Sequence, residues 1–137
     1  MNKFVLIFFS LSLMLMSKEV IINLEIKNII QNSGELYIFF YNSKENFEKK
    51  YSIASLNFPS KNNSLKTYIS LEEGEYVIYI YQDINDNHQV DTNILNIPRE
   101  PYAVSNHNGN GFLKDFNKLK LYITEENRDF SFKLNKF

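Results

Sequence analysis

The residues with the clearest chemistry are oxygen donors at alternate positions of one short segment. Asp83, Asn85, Asn87 and Asp91 occupy positions one, three, five and nine of an EF-hand-type calcium loop. Gln89, at position seven, would contribute its backbone carbonyl. Calcium takes about six to eight hard oxygen ligands, and alternate residues of a tight loop can aim theirs at one point. Asp83 and Asp91 supply charge, while Asn85 and Asn87 supply neutral carbonyl oxygens. Two positions depart from the pattern. Position six, where glycine gives the sharp turn, is His88, which enters the left-handed region with more strain than glycine. Position twelve, where a bidentate glutamate closes the site, is Ile94. The next carboxylate along the chain is Glu100, which reaches the site only if the loop folds back. Two assured carboxylates imply weak binding, about 10⁻⁴–10⁻³ M, of a structural kind. The competing reading is an Asx-turn cluster that caps its own backbone without an ion.

Other chemistry is sparse. With no cysteine, disulfides, thiolate metal sites and thiol nucleophiles are excluded. His88 and His107 lack partners at helical spacing and read as surface residues. Ser105 sits in no nucleophile-elbow motif. No acid/base pair and no phosphate loop stands out, so the chain is not expected to be an enzyme. The 15 basic and 16 acidic residues leave no basic field, so no nucleic-acid partner is expected.

The elements that must position the loop are strands. The chain is 137 residues long and 15% aromatic, with 12 Phe and 9 Tyr. Such side chains suit a pleated, half-buried surface. Ile22, Leu24 and Ile26 alternate with polar residues, as do Leu65, Thr67, Ile69 and Leu71. Leu119, Leu121 and Ile123 alternate late in the chain, and so do Phe130, Phe132 and Leu134. Glu35 to Tyr41 (ELYIFFY) and Glu75 to Tyr81 (EYVIYIY) are apolar on both faces and read as interior strands. Gln31-Asn32-Ser33-Gly34 and Glu72-Glu73-Gly74 are turns. Ser43 to Lys50 could form one helical turn capped by Ser43. Asp83 to Phe116 is polar and long for a plain connection, as functional loops are. Short strands without crossover helices predict an all-β, antiparallel sandwich of about seven strands.

The N-terminus has a separate character. Lys3 precedes thirteen apolar or small residues, Phe4 to Met16, and then Ser17 and the charged pair Lys18-Glu19. That is the anatomy of a cleaved signal peptide, residues 1–17, ahead of one domain, residues 18–137. The apolar run is shorter than the roughly 20 residues of a spanning helix, so no permanent membrane anchor is expected. Export to the periplasm or the medium is the expected localisation.

The segment Leu71 to Asn106 resembles an uncharacterised family of exported bacterial proteins, domain-of-unknown-function family twenty-one forty-one. Gly74 and Tyr76 match its turn and strand. Asp83, Asn85, Asn87 and Asp91 match its first loop motif. Ile97, Pro98, Glu100, Tyr102, Ser105 and Asn106 match its second. His88, Asn96 and Ala103 stand where that pattern tends to have glycine. The resemblance implies export and a transthyretin-like or immunoglobulin-like sandwich, without an assigned activity. It also suggests Glu100 as the far ligand that Ile94 cannot be. The sequence therefore points to an exported β-sandwich with a structural calcium site at Asp83, Asn85, Asn87, Gln89, Asp91 and Glu100. The alternative is an ion-free module that binds an extracellular protein or glycan through exposed Tyr and Phe on a sheet face. Tyr79 and Tyr81 could bind a sugar or peptide, but as strand aromatics they read first as core or sheet surface.

Overall fold

A computed structural model describes residues 16–135. The expected leader, 1–17, lies outside them apart from its last two residues. Eight strands and two short helices follow in the order β1 (Glu19–Lys27), β2 (Glu35–Tyr41), α1 (Lys44–Glu48), β3 (Ala54–Pro59), β4 (Ser64–Glu72), β5 (Gly74–Asp83), β6 (Tyr102–Val104), α2 (Phe116–Leu119), β7 (Leu121–Ile123) and β8 (Asp129–Lys133). They build two sheets. One has the order β4-β1-β8; the other has the order β3-β2-β5-β6, with β7 sharing the β5 edge beside β6. Among the described residues, no helix is long and apolar enough to cross a membrane.

The alternating patterns act as expected. Val20, Ile22, Leu24 and Ile26 of β1 point inward and are almost wholly buried. They meet Leu36, Ile38 and Phe40 of β2 and Tyr76, Ile78 and Ile80 of β5 in one core between the sheets. Burying a side chain of this size contributes about 1.5–3 kcal/mol. The opposite face of the three-stranded sheet carries Glu25, Lys66, Ser70 and Ser131, largely in water. The capped turn also forms: Ser43 Oγ accepts from Asn46 N at 3.1 Å at the start of α1.

Two expectations change. The two-sheet β fold has eight strands, in keeping with about seven, and β3 and β6 pair with β2 and β5. It is not wholly antiparallel: β8 runs parallel to β1, opposite the register Asn23–Asp129 to Lys27–Lys133. Leu119 ends α2 instead of starting a strand, since Asp115 Oδ1 caps Asn117 N and begins a helical turn. The long stretch from Asp83 to Phe116 also contains β6.

The two strands with apolar residues on both faces explain that stretch. Alternate residues of a strand face opposite sides. The even-numbered residues of β2 enter the main core. The odd-numbered ones lie in a second apolar layer on the outer face, with Tyr41, Val77, Tyr81, Tyr102, Val104, Phe116 and Leu119 as its buried members. Segments on either side of β6, which bring Val90, Leu113, Phe116 and Leu119, fold back over this face, so largely polar stretches roof an aromatic floor.

Candidate functional site

The loop begins where β5 ends. Asp83 pairs in register with Glu35 of β2, and its side chain is fully buried. Its Oδ1 accepts from Asn87 N at 3.2 Å and its Oδ2 from His88 N at 2.8 Å. One carboxylate thus satisfies two backbone donors of the turn it starts. Asp86 and His88 both take left-handed backbone, φ 59 and 58. His88 therefore does what glycine does at this position, at a conformational cost. Its Nδ1 lies 2.9 Å from Tyr37 Oη. Tyr37 Oη also lies 3.1 Å from Glu35 Oε2, so the phenol links His88 to the β2 strand end.

Asp91 is the second pole. Its carboxylate accepts from the side-chain amides of Asn85 and Asn87. Asn85 Oδ1 accepts from Asn87 N, and Asn87 Oδ1 accepts from Gln89 N. Side chains at positions one, three, five and nine are therefore drawn together.

The second half of the loop returns through a small hairpin. Arg99 N donates to Asp91 O at 2.7 Å, Asn93 N donates to Ile97 O at 2.9 Å, and Thr92 bridges Pro98. Asn93 Oδ1 accepts from Leu95 N and Ile97 N and shapes the tip, where Asn96 has φ 58. Ile94 stands at that tip, 97% exposed, facing away from the site. The hairpin delivers Glu100, 2% exposed, to the loop. Its Oε1 accepts from Ile84 N at 3.1 Å and its Oε2 from Asp91 N at 3.3 Å. One carboxylate thereby clamps the two ends of the candidate site. The sequence offers Glu100 as a ligand but carries no signal for this backbone-clamping role, nor for that of Asn93.

Burial raises the Glu100 carboxyl above its ordinary value, with the two N–H bonds opposing and Asp83 and Asp91 adding repulsion. The sign follows from the proton balance: a carboxylate raised in the fold binds protons more tightly folded than unfolded. Its charge thus costs stability above its folded pKa, and that cost fades as pH falls to the unfolded value. Relative to Glu100→Gln, which cannot titrate, the wild-type protein should gain stability between pH 7 and pH 4 in the presence of chelator. Denaturant midpoints of the pair across that range check this; a wild-type midpoint that falls relative to the variant's on acidification would contradict it.

Several sequence expectations resolve plainly. Ser105 Oγ accepts from Ile78 N and donates to Leu119 O, so it ties the end of β6 to β5 and α2. The His107 ring lies against Tyr102, and burial lowers its pKa. Asn106, at φ 52, donates its amide to Lys120 O. Ala103 lies in β6 opposite Ile80 and does not take positive φ, so alanine fits there. Gln82, which the sequence did not single out, is fully buried and hydrogen-bonds three backbone groups of the 30–33 turn.

The donor set suits a hard cation in type, with carboxylates and amides but no thiolate and no imidazole cluster. Among the described residues, no three Asp, Glu or His side chains form a ready cage. Each carboxylate oxygen has about two lone-pair directions, so the backbone bonds to Asp83 and Glu100 leave capacity for a cation. The amide nitrogens of Asn85 and Asn87 occupy the Asp91 carboxylate, and a half-turn of each amide would present oxygen there instead.

Fold and site together define an all-β protein whose carboxylates organise a two-part loop at one sheet edge. The chain belongs to the family described as "Uncharacterized protein conserved in bacteria" (DUF2141), whose model matches residues 24–131. The matched span runs from β1 to β8 and contains both halves of the loop. No curated protein and no solved structure matches the chain.

Proposed function

We propose that this chain is an exported, non-catalytic β-sandwich in which a calcium ion reinforces the Asp83–Glu100 loop. The observation that carries the reading is the return of buried Glu100 to a loop already drawn together around Asp83 and Asp91. Three carboxylates in one neighbourhood repel one another, and a divalent cation would relieve that repulsion. Asp83, Asn85, Asn87, Asp91, the Gln89 carbonyl and Glu100 would hold it. The apolar run after Lys3 is the reason to expect export.

Thermal melts with calcium and with chelator test the site. A gain of about 1–3 kcal/mol is expected when free ion exceeds the dissociation constant about ten- to a hundredfold. An unchanged midpoint at millimolar calcium would overturn the calcium reading. Asp91→Ala should abolish the gain while the chelated protein still folds.

A second reading is an ion-free interaction module. The self-capped geometry favours it, because the Asn85 and Asn87 amides already donate hydrogen bonds to the Asp91 carboxylate. On the outer face of the three-stranded sheet, exposed Ile21 and Tyr68 stand among Glu25, Lys66, Ser70 and Ser131, so apolar surface there is scattered and not continuous. The same melts distinguish the two readings.

A further inference from the structure

The roofed aromatic face of the larger sheet is not filled completely. A groove of about 430 Å³ remains between the sheet and the segments that cover it. That volume falls in the range of small-molecule sites, about 300–1,000 Å³. Phe39, Tyr41 and Tyr79 line it from β2 and β5. Val90 and Leu95 line it from the carboxylate-organised loop, and Phe112 and Leu113 from the segment after β6.

Three observations indicate what would occupy this groove. First, Leu95 and Phe112, from two different loops, leave 52% and 66% of their surface in water at the same opening. Two apolar side chains flanking one mouth lower the cost of admitting an apolar body. Second, Tyr41 and Tyr79 both line the groove, and neither hydroxyl has a hydrogen-bond partner among the described residues. Each is therefore free to bond a polar ligand atom. Third, the rim charge is unbalanced. Glu48 lies 3.8 Å from Lys44, whereas Lys50 and Lys114 have no acidic partner among the described residues. The groove therefore combines aromatic walls, available phenol hydroxyls and two unpaired ammonium groups.

We propose that the groove is a binding site for a small amphiphilic anion, with a ring-containing apolar body and a carboxylate or sulfonate head. The body lies on Phe39, Tyr41 and Tyr79, and the head faces Lys50 and Lys114. This goes beyond the calcium reading and does not require it, because the loop wall is already closed by its own hydrogen bonds.

The probe is anilinonaphthalene sulfonate, with N-phenylnaphthylamine as its uncharged analogue, titrated against the folded chain with calcium and again with chelator. Saturable one-to-one fluorescence enhancement by the sulfonate is expected, with weaker binding of the neutral analogue. Lys50→Gln with Lys114→Gln should weaken the sulfonate about tenfold, or about 1.4 kcal/mol, and leave the neutral analogue unchanged. Phe112→Glu, at an exposed position, should weaken both. Circular dichroism melts matching wild type would show that these variants fold. Failure of either probe to saturate overturns the site, and an undiminished sulfonate affinity in the double lysine variant overturns its anionic class. Melts indifferent to calcium would sink only the metal reading, whereas probe binding reports only on the groove.

Discussion

Gly34→Ala is expected to lower folding stability by about 3–5 kcal/mol, the sum of left-handed strain and overpacking against a strand end. Gly34 has φ +66, and a Cβ built on it would lie 1.7 Å from the Asp83 carbonyl oxygen and 2.7 Å from the Asp83 carbonyl carbon. Both are backbone atoms, so no side chain can rotate away. The Gly34 carbonyl also accepts from Ser60 Oγ at 2.7 Å, which holds the turn against the neighbouring strand and limits its retreat. For a domain of this size, the loss corresponds to a melting point lower by roughly 10–20 °C. The damage should extend to the candidate metal loop, because the displaced group is the backbone of its first residue. A variant that melts within about 3 °C of the wild type would mean the turn can shift freely.

Gln82→Leu should cost about 3–4 kcal/mol through unsatisfied backbone groups rather than through lost volume. Gln82 is fully buried. Its Oε1 accepts from Ile30 N at 2.9 Å, and its Nε2 donates to Ile30 O at 2.6 Å and Ser33 O at 2.7 Å. Leucine fills similar space but leaves one donor and two acceptors unpaired in the 30–33 turn. Each such group costs about 1–3 kcal/mol, reduced where water can enter. Denaturant melts measure the loss. Hydrogen exchange at the Ile30 amide locates it, since that proton should lose protection first. If the melts of the variant match wild type and the Ile30 amide stays protected, another group must satisfy the turn.

The sequence by itself determined the strands whose side chains alternate between apolar and polar, since a period of two is a local property. Ile22, Leu24 and Ile26 could be assigned to a core face without knowing what lay opposite. The donors Asp83, Asn85, Asn87 and Asp91 were legible for the same reason: a tight turn links residues already close in the chain. The ordered motifs from Gly74 to Asn106 were enough to place the chain in its family. Tertiary structure decided the rest. Whether Glu100 meets Asp91 depends on a hairpin that turns at Asn93 and Asn96, and that turn also sends Ile94 into water. The parallel pairing of β8 with β1 joins residues more than a hundred positions apart, which no local pattern encodes. The aromatic residues of β2 and β5 signalled that both faces were apolar. What covers the outer face, and the groove left beneath the cover, follows from how the segments on either side of β6 pack back across the sheet.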